Sequence, residues 1–338
     1  SAGSSPGPAC YDRGGAQPTV TDANLLLGRL DADNFLGGEM PLNLPAAQRA
    51  MLEKVAGPLN MDPVQAADGI LRIAVTAMSH AVKAVTTERG LDAGRFTMVV
   101  YGGAGPLHAS AIARELGIKN VLIPFAPGYF SAYGMLFSDL RYDYVRSVFR
   151  KLEDVSFEDI EAIYAGMEAE GMKAIAGSAV TPEEVVIERA ADMRYVGQEH
   201  SVTVDLPPHL FAGGDRAALK KHFDEEHMKR YGFNSVKDPA EIVSLYSSVV
   251  GVLDKPVTRP MAKAPPGRVP PPHSRRPVFC AGRNGRGFID TPVHQRDELL
   301  AGDCISGPAL IEEYASTTVV APGDRAEVGV YGDIIITI

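Results

Sequence analysis

The pattern of hydrophobic and polar residues along this chain predicts helices that alternate with short buried strands. Apolar residues recur at helical spacing over residues 62–89, where Asp62 is a suitable N-cap and Gly90 ends the pattern. Shorter helical patterns cover residues 23–30, 45–57, 106–116, 156–176 and 215–230. Apolar or alternating runs predict strands over residues 96–101, 120–124, 183–195, 201–206 and 241–253.

One stretch, residues 96–116, joins a strand, a glycine turn and a helix without a break. The apolar run ends at Tyr101, and Gly102, Gly103 and Gly105 form the turn that opens into the helix. Such a turn presents backbone N–H groups and a helix N-terminus to a ligand, and glycines let the ligand come close. A tight turn without a ligand is the alternative. We expect Gly103→Val to weaken ligand binding and leave the fold intact.

The glycine turn differs from the two common phosphate-binding loops. It lacks the third glycine of a dinucleotide fingerprint and the Gly-Lys-Ser/Thr ending of a P-loop. His108 falls in the first turn of the predicted helix, where the helix dipole disfavours the charged imidazole. A second strand and loop, residues 120–134, follow directly. Two such units predict a parallel or mixed sheet, with ligands gathered at the carboxyl ends of its strands.

Composition narrows the classes of partner and the compartment. The 338 residues carry a net charge of -9, which argues against nucleic acid or an anionic membrane as a partner. Three widely spaced cysteines form no disulfide framework and no metal-binding pattern, so we expect a reducing, cytoplasmic environment. No apolar run approaches the roughly 18 residues that a membrane helix needs.

The chain divides into four predicted segments. Residues 1–150 form an α/β region, and residues 151–254 form an α+β region. Eight prolines stiffen the segment around residues 255–276, which we interpret as a linker or as a chain that wraps a neighbour. Residues 277–338 consist of short β-runs and turns, and predict a β-rich C-terminal module.

Two residues near the N-terminus are candidates for chemistry. Asp22 precedes an apolar helical run, so it is either a metal or hydroxyl partner or a helix cap, as Thr21 also could be. Cys10 lies in a glycine- and proline-rich loop, residues 1–19, and is either a nucleophile or a small buried side chain. No base stands at a recognisable spacing from Cys10, so we expect a structural role.

Five motifs together resemble the hydantoinase A/oxoprolinase family, and they occur in the family's order over essentially the whole chain. They are PGPACYDRGG with PTVTDANLLLGRL at residues 6–30, YGGAGPLHA at 101–109, SAYGM at 131–135, DMRYVGQEH at 192–200 and GPALIEEYASTTVVAPG at 307–323. The family includes ATP-dependent N-methylhydantoinase, 5-oxoprolinase and subunits of acetone and acetophenone carboxylases.

The resemblance implies an α/β fold of the actin-like ATPase type, with ribonuclease-H-like lobes around a nucleotide. Residues 1–150 then correspond to the second lobe, and Gly102, Gly103, Gly105 and His108 to the adenosine side of an ATP site. Family members also carry two earlier phosphate-binding stretches of Asp-x-Gly-Gly-Thr type, and neither occurs here. We therefore expect most residues that hold the phosphates and Mg²⁺ to lie in an N-terminal half, on the same polypeptide or on another chain.

The function implied by the resemblance is the ATP-dependent opening of a cyclic amide whose ring carbonyl is activated by phosphorylation, with Asp22 as the candidate catalytic residue. A hydantoinase B-type subunit and an oligomeric assembly are implied as well. Two alternatives stay open: a subunit of an acetone- or acetophenone-type carboxylase, and a non-catalytic scaffold that docks partner subunits. We expect the 338 residues alone to be inactive.

Overall fold

The computed structural model describes residues 2–207, 210, 214–282 and 285–338. The chain forms two units. The first contains residues 1–134 and 257–338, and the second contains residues 135–256. This grouping differs from the four segments predicted from the sequence, because residues 334–337 near the C-terminus pair with residues 120–123 of the N-terminal region.

The helices agree closely with the hydrophobic pattern. In the described residues they are α1 (Val20–Leu26), α2 (Leu44–Met51), α3 (Pro63–Val85), α4 (Gly105–Leu116), α5 (Phe130–Met135), α6 (Phe157–Ala176) and α7 (Arg216–Tyr231). Asp62 caps α3 as predicted, and its carboxylate accepts from the N–H groups of Val64 and Gln65. A π-helical turn, Leu52–Ala56, continues α2 up to Gly57.

The strands of the described residues vary in length from three to thirteen residues. They are β1 (Thr97–Val99), β2 (Asn120–Ile123), β3 (Leu140–Lys151), β4 (Glu184–Tyr195), β5 (Val202–Asp205), β6 (Ala240–Val252), β7 (Ser274–Gly282), β8 (Gly285–Gln295), β9 (Cys304–Ser306), β10 (Ala309–Glu313), β11 (Ser316–Val320), β12 (Arg325–Val328) and β13 (Ile334–Thr337).

Two sheets build the first unit. The five-stranded sheet has the order β1-β2-β13-β12-β9, in which β1 and β2 are parallel and the other pairs are antiparallel. The four-stranded sheet has the order β11-β10-β8-β7, with β10 parallel to β8. The predicted mixed sheet is thus present. Its core joins α4 residues such as Ala109 and Ala113 to buried strand residues such as Ile123, Ile311 and Ile336.

The second unit is an antiparallel sheet of order β3-β6-β4-β5. Its buried side chains pack with those of α6 and α7, and the centre holds Tyr164, Met193, Phe223 and Leu245. Both helices begin after a capping residue: the Ser156 hydroxyl accepts from the N–H of Asp159, and the Asp215 carboxylate accepts from the N–H groups of Ala217 and Ala218. None of the helices in the described residues is long and apolar enough to cross a membrane.

Candidate functional site

The glycine loop lies between the end of β1 and the start of α4. Gly102 has φ +92, a left-handed conformation that glycine adopts without strain. Its N–H donates to the carbonyl of Pro127 at 2.8 Å, which ties the loop to the segment that follows β2. The loops after the two parallel strands therefore meet, as their shared polarity predicts.

A hairpin turn from the second sheet packs against both loops. The turn, Tyr314–Ala315, connects β10 to β11. A Cβ on Gly103 would lie 2.9 Å from the carbonyl oxygen of Ala315, and one on Gly128 would lie 2.7 Å from the Cβ of Ala315. The missing side chains therefore make room for the protein's own hairpin. A valine at Gly103 would have to shift this turn or the glycine loop, so we now expect Gly103→Val to disturb the local structure as well as ligand binding.

A cavity of about 460 Å³ opens beside the glycine loop. Gly103 and Ala104 form part of its wall, as the strand–loop–helix order predicts, whereas the other predicted binding residues, Gly102, Gly105 and His108, are not part of its lining. The rest of the lining is a mixture of apolar and polar side chains. They include Tyr11, Arg13, Val20, Asn24, Leu30, Asp31, Asn34, Phe35, Leu36, Met40, Leu107, Glu312 and Ser316.

Two lining residues carry buried polar atoms without a hydrogen-bond partner. Asn24 is 1% exposed, and its amide donates to the carbonyl of Val20 at 3.0 Å, whereas its Oδ1 has no donor. Ser316 is 6% exposed, and its Oγ has no partner either. Buried polar groups are rarely left unpaired, so these two atoms, which lack partners among the described residues, are open to a water molecule or to a polar group of a ligand.

Arg13 brings a positive charge to the same cavity. In the part of the chain that the structure describes, its guanidinium reaches neutral acceptors alone: the carbonyl of Ser4 at 3.5 Å and the sulfur of Met40 at 3.9 Å. These are long, weak contacts. The guanidinium is therefore available to a polar or anionic group of a ligand.

His108 lies beneath the loop, in the first turn of α4. The side chain is 3% exposed, and burial, with a smaller contribution from the Arg29 charge, lowers the pKa of its imidazole to about 4. The ring is therefore neutral at ordinary pH, with burial as the main cause where the sequence indicated the helix dipole. Its Nδ1 has no hydrogen-bond partner.

Asp22 is fully buried and holds the N-terminal loop onto α1. One carboxylate oxygen accepts from the N–H of Cys10 at 2.7 Å, and the other accepts from the N–H groups of Ala9 at 3.2 Å and Thr19 at 2.7 Å. The helix begins at Val20 with Thr19 as its N-cap, and Thr19 and Asp22 form a capping box. The structure thus has Thr19 in the position for which the sequence indicated Thr21 or Asp22, and the Asp22 geometry matches capping.

Cys10 is fully buried next to Asp22. Burial, and then the Asp22 charge, raises the pKa of its thiol well above the usual range. A thiol in this environment is a poor nucleophile, because the thiolate is the reactive form. This geometry supports the expected structural role.

Arg13, Asn24 and Ser316 lie within the family motifs, but the sequence analysis did not identify them as candidate site residues. Asn24 and Ser316 are separated by most of the chain, and they reach one cavity through long-range packing, in which β11 lies against α4. The one feature of the sequence that could have indicated Asn24 as a site residue is its polar side chain inside a helical pattern. Among the described residues there is no cluster of three or more His, Cys, Asp or Glu side chains that could hold a metal ion.

The site and fold define a mixed α/β protein built around a strand–glycine loop–helix unit. The hydantoinase/oxoprolinase family model matches residues 1–144, and the hydantoinase/oxoprolinase C-terminal domain model matches residues 150–331. The chain therefore belongs to the hydantoinase/oxoprolinase family, and the resemblance noted in the sequence is confirmed.

Two relatives and one crystal structure illustrate the family. The chain is 33% identical over 328 residues to caprolactamase subunit alpha of Pseudomonas jessenii, and 30% identical over 345 residues to the acetophenone carboxylase gamma subunit of Aromatoleum aromaticum. These alignments cover 96% and 98% of this chain but 47% and 46% of the relatives. The chain thus spans about half the length of the curated relatives it matches.

The crystal structure is that of the ATP-dependent caprolactamase from Pseudomonas jessenii. It matches with a TM-score of 0.71 at 32% identity, over 100% of this chain and 49% of that chain. The predicted fold class is confirmed: α/β, a partial actin-like ATPase lobe, with an α+β region and a β-rich C-terminal module.

Proposed function

We propose that this chain is part of an ATP-dependent enzyme that opens a cyclic amide, and that the glycine loop forms the adenosine side of its nucleotide site. The observation that carries the proposal is the cavity of about 460 Å³ with Gly103 and Ala104 on its wall and two buried unpaired polar atoms in its lining. Likeness to caprolactamase, a lactam-opening enzyme by its name, supports the choice of substrate class.

The chemistry of a cyclic amide explains why such an enzyme would use ATP. The ring carbonyl is a weak electrophile, and ATP supplies a phosphoryl group that turns the carbonyl oxygen into a good leaving group. Phosphoryl transfer depends mainly on positioning and on neutralising charge. The protein's task is therefore to hold the reacting groups together and to place positive or N–H groups around them.

The residues of the cavity suit binding and orientation. Asn24 Oδ1 is an acceptor for an N–H of a ligand, and the Ser316 hydroxyl donates or accepts. Arg13 adds a guanidinium that lacks a close partner among the described residues. Because the imidazole of His108 is neutral, it adds no second positive charge at the start of α4.

Among the described residues, no cluster of three or more His, Cys, Asp or Glu side chains could hold a metal ion. The role proposed for this chain is therefore to bind and orient the nucleotide. If ATP is used with Mg²⁺, we propose that the metal ligands come from an N-terminal half with the Asp-x-Gly-Gly-Thr stretches. A B-type subunit is the proposed partner, in line with the subunit names of the relatives.

A carboxylase subunit is the second candidate, and its support is the 30% identity to the acetophenone carboxylase gamma subunit. The two candidates differ in the compound that reacts with the activated substrate, which is water in the hydrolase and bicarbonate in the carboxylase. Bicarbonate dependence of turnover therefore separates them.

The test is an assay of ADP release by the chain assembled with its N-terminal half and the B-type subunit. We expect caprolactam to stimulate ADP release without bicarbonate, and the 338 residues alone to show no turnover above background. Ala104→Leu, which fills the cavity wall, should weaken nucleotide binding by about tenfold. Ala81→Leu, at an exposed position of α3, is the matched control and should leave binding unchanged.

Three results would contradict the proposal. A strict requirement for bicarbonate favours the carboxylase. An assembly that forms but neither binds nor hydrolyses ATP favours the scaffold. Clear magnesium-dependent turnover by the 338 residues alone means that the phosphate site lies within this chain, at residues 1–30 or 125–134.

A further inference from the structure

Three arginines from different parts of the chain, counted among the described residues, line a second cavity of about 260 Å³. Arg29 follows α1, Arg114 lies on α4, and Arg286 lies on β8. Ser110 and Cys280 add a hydroxyl and a thiol to the lining. With three guanidinium groups around so small a space, the net charge of the lining depends on which of them pair with carboxylates.

Two of the three guanidinium groups are neutralised by aspartates. Arg286 forms an ion pair with Asp68, and Arg114 forms one with the buried Asp324. Each pair leaves little net charge to attract a ligand. The charge that remains belongs to Arg29.

Arg29 forms no ion pair within the residues that the structure describes. Its Nη1 makes one long contact, 3.5 Å, to the carbonyl of Leu107, and its Nε is buried without a hydrogen-bond partner. Burial lowers the pKa of the guanidinium, yet arginine stays protonated in proteins. Among the described residues, three guanidinium groups therefore stand against the two carboxylates of Asp68 and Asp324, which leaves one positive charge over at the cavity.

A guanidinium in such a place is matched by an oxyanion. Its planar set of N–H donors fits the oxygen pair of a carboxylate or phosphate, and charge-assisted hydrogen bonds of this kind are strong. We propose that this cavity binds a small oxyanion, a phosphate or a carboxylate, with Arg29 as its anchor. An anion there supplies both the missing charge and the missing acceptor.

The source of the anion rests on the proposed function, whereas the binding itself does not. ATP-driven opening of a cyclic amide releases orthophosphate and leaves a carboxylate on the opened chain, and both carry the required oxygens. Leu107 lines this cavity and the cavity beside the glycine loop, so the two spaces are neighbours in the first unit.

Cys280 provides a reporter inside the cavity. Its thiol is partly exposed, and the Arg29 charge acts on it, since Arg29 opposes the rise in pKa that burial causes. A bound anion blocks access to the sulfur. It also cancels the positive charge of Arg29, which favours the reactive thiolate. Alkylation of Cys280 should therefore slow when the cavity fills.

The experiment measures the rate of Cys280 alkylation by iodoacetamide in the purified chain, by mass spectrometry, in a Cys304→Ser background. Potassium phosphate and 6-aminohexanoate are compared with potassium chloride at equal ionic strength. At a ligand concentration ten times its Kd the rate should fall by about elevenfold. Protection by phosphate alone, by the amino acid alone, or by both identifies the source and supports the site.

Variants complete the test. Arg29→Gln should abolish the protection, and Arg275→Gln is the matched control, because Arg275 lies on β7 and pairs with Asp290 away from the cavity lining. If Arg29→Gln does not fold, Arg286→Gln replaces it: Asp68 then becomes free to neutralise Arg29, and protection should be lost. Failure of both anions to protect, or undiminished protection in the folded variants, overturns the proposal, whatever the outcome of the ATP assay.

Discussion

The carbonyl oxygen of Ala315 lies 2.9 Å from the point that a Cβ on Gly103 would occupy. A real Cβ does not tolerate so short a contact, so either the hairpin turn or the glycine loop has to move if Gly103 is replaced. The same turn stacks its Tyr314 ring on Tyr129, with centroids 6.1 Å apart. One turn thus fixes the position of both loops that follow the parallel strands.

Gly103→Ala should lower the free energy of unfolding of the first unit by about 1–3 kcal/mol, the usual cost of overpacking. Gly69→Ala is the matched control. A Cβ on Gly69 meets nothing within 4 Å, and the residue lies inside α3, so alanine should stabilise the protein by about 0.5–1 kcal/mol. Urea denaturation measures both. If both substitutions raised the free energy of unfolding equally, the contact between Gly103 and the hairpin turn would be loose enough to accommodate a Cβ.

Asp22→Asn should destabilise the protein by about 3 kcal/mol, because an amide cannot satisfy the buried N–H groups that both carboxylate oxygens now accept. Asp62→Asn makes the same chemical change at an ordinary N-cap, where asparagine serves as well as aspartate, so its effect should stay within about 0.5 kcal/mol. Urea midpoints give the comparison. A stable Asp22→Asn protein whose assembled form has lost turnover would restore the catalytic interpretation.

Cys10 should resist alkylation in the folded protein and react only when denaturant opens the N-terminal loop. The reasons are its complete burial and the raised pKa of its thiol. Cys304, which is partly exposed, serves as the internal control in the same mass-spectrometric time course. Cys10→Ser in an assembled enzyme should retain most activity. Loss of turnover by several orders of magnitude, with unchanged stability and assembly, would assign Cys10 a chemical role.

His108 should make the first unit less stable in acid. Its folded pKa of about 4 lies below the ordinary value of 6.5, so the unfolded chain binds a proton that the folded chain does not. The stability attributable to this residue is full above pH 6.5 and is lost as the pH falls toward 4, a total of about 3 kcal/mol.

The measurement for His108 is the free energy of unfolding from pH 7 to pH 4, compared with His108→Gln. The variant removes the imidazole, so its stability should fall less steeply over this range even if it is less stable at pH 7. Parallel curves for the two proteins would mean that His108 takes up its proton in the folded state.

Local features of the fold were predictable because they depend on neighbouring residues. Helices α6 and α7 begin within one residue of their predicted starts, directly after the caps Ser156 and Asp215, and α4 ends at Gly117 in the left-handed conformation. The start of α1 was misjudged because cap-forming residues occur at both Thr19 and Thr21. The choice between them depends on the Asp22 carboxylate, which also holds a distant loop.

The candidate site was predictable in part. The strand–loop–helix order pointed to the wall formed by Gly103, whereas Asn24 and Ser316 reach the cavity only through long-range packing. No local pattern reveals that the Tyr314–Ala315 turn occupies the space above Gly103. Which distant strands pair depends on how each possible pairing compares in stability with all the others. A single sequence does not provide that comparison.

The pairing of β13 with β2 has a consequence for the order in which the protein is made. Residues 334–337 hydrogen-bond with residues 120–123, so a ribosome releases β2 long before it synthesises the strand that covers its edge. The contiguous residues 135–256, with their own sheet and core, are complete in the meantime. The first unit therefore has an unpaired sheet edge at β2 until its last strand is made, and such an edge can pair with another chain.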